Sequence, residues 1–585
     1  MALRRGAAFV LTLLIIAVIV SLVGLLLLYA LLGGEPSISP GTTLIVRLSG
    51  ELDEGSPNDL FGGLLPVQRT ASVRVVSEAL HRARSDSRIG AVLVVPTGLT
   101  SPFWAKLQEV RDAIVDFRRS GKPAYGFLEY GGQSEYFVAS ACDRVFLLPT
   151  SSLDLTGLAS YELFLRGSLD KLGAYPDMVH VGDYKSATNQ LTETTFTPAH
   201  REMAESLNTD LFGQLLRAVA DGRRKPERDI QALVDDGPFL PEDALRTGLV
   251  DDLAYQDEAV AKLKAASHTS HEIELDDYAR AGESMFGLGP RFALVYATGA
   301  ITSGRSGYDP LSGATVGSES IVEHLRDIRK DSSIRGVILR IDSPGGSAIA
   351  SDVVWRELTL LRDATPKRPL VVSMSDLAAS GGYYIAMAAP TIVAEPGTLT
   401  GSIGIYGGKV ALGGTYGKLG ATVEEVSRGR FAAMNSPVRP YTAEERAKLE
   451  EQLQAFYEQF VEKAARARHL TPERLDEVAQ GRVWTGRQAR DLKLVDELGG
   501  LDRAVTIAKK QAGVDAAAKV QLVVYPRRRS LYDLIAGQLS SGSELSRLAA
   551  IGGLVPGNRT AAALSRTALF QRGEPLALMP GMFLR

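Results

Sequence analysis

The sequence is poor in the residues that most often bind metals or form disulfides. Its 585 residues include one cysteine, Cys142, so no intrachain disulfide can form. Only seven histidines are present, and none lies in an HExxH or CxxC setting, which disfavours a metal hydrolase. The net charge of -3 gives no electrostatic reason to expect nucleic-acid binding. We therefore expect no metal, no cofactor and no nucleic-acid partner.

The length and composition indicate a folded protein with more than one domain. A chain of 585 residues is longer than one hydrophobic core usually organises. Its contents of 45% hydrophobic and 23% charged residues are typical of globular proteins.

One long uncharged stretch lies near the N-terminus, from Val10 to Leu32. It exceeds the roughly 20 apolar residues that a membrane-spanning helix needs, and it is longer than a typical signal-peptide core. Arg4 and Arg5 precede it and predict a cytoplasmic N-terminus. We expect residues 1–36 to be a retained single-span anchor, with the chain after Pro36 outside the cytoplasm. A cleaved signal peptide is the alternative.

The rest of the chain consists of two copies of one unit. Three matched segments recur in the same order, namely Gly90 with Gly336, Lys171 with Lys418 and Gly248 with Lys493, at offsets of 246, 247 and 245. A near-constant offset indicates an internal duplication. The predicted organisation is a first repeat (42–265), a polar linker (266–289), a second repeat (290–525) and a C-terminal tail without a recognisable motif (526–585).

Strand and helix patterns alternate within each copy. Ala91–Val95 and Gly336–Ile341 are short β-branched runs that predict strands. Phe103–Arg118 and Ala443–Ala465 carry apolar residues at helical spacing. This alternation predicts an α/β fold in which the sheet is buried between layers. In such folds the chemistry usually takes place on loops beyond the strand ends.

Three loops of the second copy have the composition of a catalytic site. Asp342–Gly346 follows a predicted buried strand and contains Pro-Gly-Gly, a tight turn whose N–H groups can face a ligand. Ala378–Tyr384 places one serine, Ser380, before a helical run, where its hydroxyl and free N–H groups suit acyl transfer. The third loop is Leu399–Gly404. Each motif alone is a common turn, so the prediction depends on their order and spacing.

The order of these motifs resembles the catalytic half of signal peptide peptidase A. In the first copy, Val181–Ala187 is similar to the lysine segment of the long, duplicated form of that family, and the resemblance covers nearly the whole chain. It implies two tandem crotonase/Clp-protease-like repeats after one N-terminal transmembrane helix. It further implies a serine endopeptidase with a Ser-Lys dyad that hydrolyses cleaved signal peptides and similar apolar peptides. The expected location is the inner membrane with the catalytic domains on the periplasmic side, as a homo-oligomer, with a tetramer favoured.

The resemblance also implies a role for individual residues. Ser380 is the implied nucleophile, Lys185 the general base and Ser402 the hydroxyl that holds the lysine amine. The implied oxyanion hole consists of backbone N–H groups of glycines, namely Gly345 or Gly346, and Gly381. A lysine serves as a base only when neutral, and burial can lower its pKa from about 10.4 by several units.

The duplication provides an internal check of these assignments. At the repeat offset, the counterpart of Ser380 is Gly132 and the counterpart of Lys185 is Ala432. Each copy therefore keeps one half of the dyad and lacks the other, which is what a single site built from both copies predicts.

Two other classes of function remain open at the level of sequence. A crotonase-type acyl-CoA enzyme shares the glycine-rich oxyanion loops, but it would need an acidic catalytic residue. An inactive membrane scaffold would use the two halves as an assembly platform. Taken by itself, Lys185 also fits an ordinary surface lysine.

Overall fold

The computed structural model describes residues 37–55, 72–281, 289–309, 313–526, 575–579 and 583–584, together with four isolated positions between 17 and 24. Apart from those four positions, the predicted anchor, residues 1–36, lies outside the described residues. Within the described part of the chain, no helix is both long and apolar enough to cross a bilayer.

The first repeat contains eight strands and ten α-helices among the described residues. Its strands are β1 (Thr42–Gly50), β2 (Ile89–Leu99), β3 (Ala124–Leu128), β4 (Arg144–Leu147), β5 (Ser160–Tyr161), β6 (Tyr175–Val181), β7 (Asp252–Leu253) and β8 (His271–Glu274). Its helices are α1 (Val73–Ser85), α2 (Ala105–Arg118), α3 (Gln133–Ala139), α4 (Arg166–Leu172), α5 (Asn189–Thr192), α6 (Pro198–Arg223), α7 (Glu227–Asp236), α8 (Pro241–Arg246), α9 (Gln256–Ser267) and α10 (Leu275–Arg280).

The second repeat and the described parts of the tail continue the numbering. The strands are β9 (Arg291–Thr298), β10 (Ala300–Thr302), β11 (Gly307–Asp309), β12 (Gly313–Gly317), β13 (Ile334–Ser343), β14 (Gly345–Ser347), β15 (Leu370–Ala379), β16 (Thr391–Ala394), β17 (Leu399–Gly401), β18 (Ile405–Ala411), β19 (Val483–Thr485), β20 (Glu497–Leu498), β21 (Gln521–Tyr525), β22 (Leu576–Leu578) and β23 (Phe583–Leu584). The helices are α11 (Ser318–Lys330), α12 (Ala348–Arg362), α13 (Gly381–Ala386), α14 (Gly413–Lys418), α15 (Ala443–Arg468), α16 (Pro472–Asp476), α17 (Gly486–Asp491) and α18 (Leu501–Gln511).

The two main sheets have the same topology. The first repeat forms a parallel sheet in the order β7-β4-β3-β2-β1-β8. The second repeat has the parallel order β20-β16-β15-β13-β9-β21, and β17 and β19 extend it beyond β15. Strand by strand the orders correspond, so the repeat seen in the sequence is a structural duplication.

The central strands are buried on both faces, which explains their continuous apolar runs. In β2, Val92 and Val94 belong to the same core cluster as Val110 of helix α2. Leu93, between them, belongs instead to the cluster of Leu263 on helix α9. Because successive side chains of a strand point to opposite faces, one run of valines and leucines fills the space under helices on both sides of the sheet.

A third sheet joins the two repeats. Its order is β11-β12-β10-β14-β22-β18-β6, so strand β6 of the first repeat completes a sheet of the second. Strands β6 and β18 pair antiparallel over their whole length, from Tyr175 opposite Ala411 to Val181 opposite Ile405.

Two segments carry more structure than their sequence indicated. The stretch interpreted as a linker, 266–289, contains β8, which pairs with β1 at the edge of the first sheet, and helix α10. In β8 only Ile273 is buried, and the polar residues on both sides of it are exposed. Because this polar composition is also typical of a linker, the sequence did not indicate an edge strand. The C-terminal tail contributes β22, which lies between β14 and β18, and β23, which pairs with β5.

The close pairing of β6 and β18 can be tested at Gly408. A Cβ at this position would lie 2.5 Å from the Asp177 carbonyl oxygen and 2.5 Å from the Met178 sulfur. We expect Gly408→Ala to lower the free energy of unfolding by about 1–3 kcal/mol, as overpacking usually does. Urea-induced unfolding measures the change.

The matched control is Gly417→Ala in helix α14, where no atom lies within 4 Å of the added carbon. Because alanine is favoured over glycine in a helix, this variant should be neutral or stabilised by up to about 1 kcal/mol. Equal destabilisation of both variants would contradict the packing described here.

Candidate active site

Ser380 occupies the sharp turn between strand β15 and helix α13. Its φ of 56° and ψ of -112° lie outside the usual regions for a residue with a side chain. Two backbone hydrogen bonds hold the turn: the Ser380 N–H donates to the Gly401 carbonyl at 2.8 Å, and the Ser380 carbonyl accepts from the Tyr384 N–H at 2.8 Å. Such conformations cost on the order of 1–3 kcal/mol and cluster at functional sites. Ser380 is completely buried.

Lys185 reaches Ser380 from the first repeat. It follows strand β6 and is completely buried. Its Nζ lies 2.7 Å from Ser380 Oγ, 3.0 Å from Ser402 Oγ and 3.0 Å from the Ser402 carbonyl oxygen. The amine therefore has three oxygen neighbours, and all of them are uncharged.

This environment lowers the pKa of the Lys185 amine well below its ordinary value of 10.5. The cause is burial, which disfavours the charged form. A carboxylate beside the amine would oppose that effect, but the hydrogen-bond partners are two hydroxyls and a carbonyl. The geometry thus favours a neutral amine that can accept the Ser380 proton.

Ser402 fixes the amine from the second repeat. It lies between β17 and β18, is completely buried, and has a φ of 50°. Its N–H donates to the Arg482 carbonyl at 2.7 Å. Because both its hydroxyl and its carbonyl contact Lys185 Nζ, Ser402 restricts the direction from which the amine approaches Ser380.

The three predicted oxyanion glycines lie side by side. A Cβ on Gly345 would lie 2.8 Å from the Gly381 nitrogen, and a Cβ on Gly381 would lie 3.1 Å from the Gly346 nitrogen. Gly345 has a φ of 102°, which favours glycine, and its N–H donates to Ser343 Oγ at 3.2 Å. As the first residue of helix α13, Gly381 presents an N–H that has no acceptor within the helix. The Gly346 and Gly381 nitrogens therefore lie beside the Ser380 turn, while the Gly345 N–H already has an acceptor in Ser343.

The segment Gln480-Gly481, which the sequence analysis did not identify, contacts both the loop that carries Lys185 and the loop that carries Ser402. Gly481 has a φ of 75°, and a Cβ there would lie 2.6 Å from the Lys185 backbone nitrogen and Cα. Its N–H donates to the Ile403 carbonyl at 2.7 Å, while the Tyr184 N–H donates to the Gln480 carbonyl at 2.8 Å. Gln480-Gly481 thus lies between the lysine loop and the Ser402 loop. A single glycine after a short helix provides no sequence signal for this role.

The C-terminal strand β22 runs beside the oxyanion glycines. Leu578 pairs with Gly345 and Ala577 with Gly346, and on the other side Leu576 pairs with Tyr406 of β18. The sequence analysis found no motif in this tail. Its alternating Leu-Ala-Leu pattern is too short to predict a strand.

The structure brings together all six residues predicted for the site. At the corresponding positions of the other repeat, neither the serine nor the lysine is present. Gly132 precedes helix α3 as Ser380 precedes helix α13. Ala432 is exposed, in contrast to the buried Lys185.

A family model for peptidase family S49 matches residues 116–270 and 362–515 of this chain. The chain belongs to peptidase family S49. The two matched segments begin 246 residues apart, which equals the offset between Gly90 and Gly336, so each repeat carries one copy of the S49 unit.

Relatives in this family extend over most of the chain. The chloroplastic serine protease SPPA of Arabidopsis thaliana is 35% identical over 86% of this chain and 74% of its own length. Protease 4 of Salmonella typhi is 30% identical over 86% of this chain and 82% of its own length. Among solved structures, ClpP1 of Listeria monocytogenes matches 36% of this chain with a TM-score of 0.22 and 16% identity. The resemblance to signal peptide peptidase A is confirmed, and this S49 chain is a serine peptidase.

The buried amine predicts how peptide hydrolysis depends on pH. Since the pKa of Lys185 is lowered, its neutral fraction rises with pH through that lowered value. We expect kcat/KM to increase with pH and to reach its plateau well below pH 10.5, the ordinary pKa of lysine. Initial rates measured across the pH range over which the protein stays folded test this.

Ser402→Ala is the informative comparison for the pH profile. It removes one hydroxyl neighbour of Lys185 and keeps the lysine, so we expect roughly 10²-fold lower activity, the lower end of the usual range for a positioned catalytic group, with a basic plateau still present. A profile that is still rising at pH 10.5 would contradict a lowered pKa.

Proposed function

We propose that this S49 peptidase is an endopeptidase that forms an acyl-enzyme on Ser380, with Lys185 as the general base. The observation that carries the proposal is the 2.7 Å contact between Ser380 Oγ and Lys185 Nζ inside a fully buried site. A hydroxyl becomes a competent nucleophile only when a base accepts its proton, and the neutral amine supplies that base.

The reaction follows from the positions of these groups. Lys185 Nζ accepts the Ser380 proton while Oγ bonds to the carbonyl carbon of the scissile peptide. Backbone N–H groups of Gly345 or Gly346, and of Gly381, stabilise the resulting oxyanion. The lysine then protonates the leaving amine, and the C–N bond breaks. Water, deprotonated by the same lysine, attacks the ester and releases the acid product and free Ser380.

The site requires both repeats. Lys185 belongs to the first repeat and Ser380 to the second, and the β6–β18 ladder holds the two segments in register. At the corresponding positions the repeats carry Ala432 and Gly132, so neither repeat alone has a complete dyad. We therefore assign one active centre to the chain rather than two.

We propose extended apolar peptides, such as cleaved signal peptides, as substrates. Support comes from strand β22, which adds to the edge of β14 directly beside the oxyanion glycines. Its Leu576 and Leu578 share an apolar cluster with Tyr406, and Ala577 between them is completely buried. A peptide strand rich in leucine and alanine has the same alternating pattern, and strand addition is a common mode of peptide recognition.

The apolar run from Val10 to Leu32 supports a membrane location for this activity. We propose that residues 1–36 anchor the chain in the inner membrane, with both repeats on the periplasmic side. An anchored peptidase would meet signal-peptide fragments where they are left after cleavage.

The dyad can be tested with the detergent-solubilised full chain and an apolar signal-peptide-like substrate. We expect Ser380→Ala and Lys185→Met to lower kcat at least about 10³-fold, because residues that act as a unit each carry most of the rate enhancement. Circular dichroism checks that both variants are folded. Lys171→Met, at an exposed position on helix α4, is the matched control and should retain full activity.

The activity of Ser380→Ala distinguishes the proposed peptidase from a crotonase-type enzyme. Hydrolysis by Ser380→Ala at the wild-type rate would show that the proposed mechanism is wrong. If that variant also turned over an acyl-CoA thioester, a crotonase-type enzyme would replace the proposal.

The proposal that an extended peptide substrate pairs with β14, in the place that β22 occupies, makes a separate prediction. Leu578→Asp places a charge in the apolar cluster beside Gly345, and burying an unpaired charge is unfavourable. We expect this substitution to displace β22 and to raise kcat/KM for an added apolar peptide several-fold. Leu240→Asp, at a side chain that is 66% exposed, is the control and should leave kcat/KM unchanged. An unchanged or lower kcat/KM in a folded Leu578→Asp protein would place the substrate elsewhere.

A further inference from the structure

Strands β13 and β15 lose their regular pairing just before they reach the active site. Ile341 pairs with Met374, but the next pair is Ser343 with Ala378. Three residues of β15, from Ser375 to Leu377, therefore lie opposite one residue of β13. A bulge of this kind re-aims the residues that follow it, and bulges are frequent beside active sites.

The bulge sets the position of both catalytic loops. On β13 it is followed by the oxyanion strand β14, and on β15 it is followed by Ser380. Side chains replace the ladder bonds that it interrupts: Asp342 Oδ1 accepts from the Leu377 N–H at 3.1 Å, and Thr398 Oγ1 donates to the Ser375 carbonyl at 2.7 Å. The geometry of the bulge therefore depends on where Asp342 is held.

A lysine of the first repeat holds this carboxylate. Lys106, in the first turn of helix α2, is 5% exposed. Its Nζ lies 2.7 Å from Asp342 Oδ2 and 3.3 Å from Asp376 Oδ2. Its backbone N–H also donates to Asp376 Oδ1 at 3.0 Å. One cation thus joins a carboxylate on β13 to a carboxylate within the bulge of β15.

The charges in this cluster depend on one another. Burial opposes the charge of Lys106, but the carboxylates of Asp342 and Asp376 hold its pKa well above 10.5. Burial raises the pKa of Asp376 to about 6, against the opposing effect of Lys106. Without the ammonium group, two carboxylates would face each other in a buried site, where the repulsion between like charges is strong.

The duplication indicates that this contact belongs to the second repeat. At the offset of 246, the counterpart of Asp342 is Pro96. The first repeat therefore has no carboxylate equivalent to Asp342, and its Lys106 reaches across to the repeat that carries Ser380.

We propose that Lys106 is a positioning residue for peptide hydrolysis: by bridging Asp342 and Asp376 it fixes the oxyanion strand β14 relative to Ser380. This inference rests on the proposed function of the Ser380 site. Lys106 touches no reacting atom and acts through the bulge.

The test uses Lys106→Met in the full chain, with the number of active sites titrated. A displacement of about 1 Å in a catalytic group can cost roughly 10²-fold, so we expect kcat per active site to fall about 10- to 100-fold while KM changes less than about threefold. A peptide boronate, whose tetrahedral adduct with Ser380 uses the oxyanion donors, should bind more weakly by a similar factor.

The matched control is Arg223→Met, which breaks a partly buried ion pair of the first repeat. Arg223 binds both oxygens of Asp251, at 2.8 and 2.9 Å, away from the site. We expect this variant to lower the thermal midpoint but to leave kcat per active site and boronate affinity unchanged. If Lys106→Met behaved in the same way, Lys106 would have a purely structural role and the inference would be overturned.

Hydrogen exchange gives a readout that does not depend on peptidase activity. In Lys106→Met, amides of the segment from Ser375 to Leu377 and of β14 should exchange at least about tenfold faster than in the wild type, since their local structure is less stable. In Arg223→Met these amides should exchange at the wild-type rate. Unchanged exchange in Lys106→Met would overturn the inference.

A second variant covers the case in which Lys106→Met does not fold. Asp376→Asn keeps Lys106 and its contact with Asp342, and it should show a smaller loss of kcat with the same accelerated exchange. Wild-type activity in Ser380→Ala would reject the proposed function instead, and the exchange rates would still decide the role of Lys106.

Discussion

The antiparallel pairing of β6 with β18 is the constraint on which the active site depends. It ends with Val181 opposite Ile405, so the chain after β6 and the chain before β18 leave the ladder at the same end. Lys185 follows on the first of these segments and Ser402 precedes on the second, which places the amine against the Ser402 hydroxyl and carbonyl. The Ser380 N–H donates to the carbonyl of Gly401, the residue before Ser402, so Ser380 is held beside the same segment. The β6–β18 pairing and the adjacent hydrogen bonds thus bring together Lys185, Ser380 and Ser402.

The first repeat contributes two buried lysines whose surroundings give them opposite electrostatic character. Lys106 lies between two carboxylates, which keep it charged despite burial. Lys185 has only hydroxyl and carbonyl oxygens as hydrogen-bond partners, and burial lowers its pKa. The same type of side chain therefore suits a structural clamp in one place and a general base in the other. The difference lies in the neighbours that the second repeat provides.

Two serines of the site have backbone conformations that residues with a side chain rarely adopt. Ser380 and Ser402 both have positive φ values, and each such position costs on the order of 1–3 kcal/mol. The surrounding structure must hold these conformations. It does so with the hydrogen bonds from Ser380 to Gly401 and from Ser402 to Arg482, and with the close approach of Gly481 to Lys185. The unfavourable backbone conformations of the two serines lower the stability of the fold locally. The buried cores of the two sheets compensate for this loss.

The sequence by itself determined the duplication and the strand–helix alternation, and it predicted the pairing of Ser380 with Lys185, because these appear as local periodicity, motif order and complementary absence at Gly132 and Ala432. It did not indicate β8, the role of Gln480-Gly481, the course of the tail beside β14, or the contact of Lys106 with Asp342 and Asp376. Those features consist of single residues or very short segments whose partners lie far away in the chain, so no local pattern marks them. Only the tertiary structure brought them next to the motifs, since contacts between distant segments are decided by how the two sheets and their shared ladder pack.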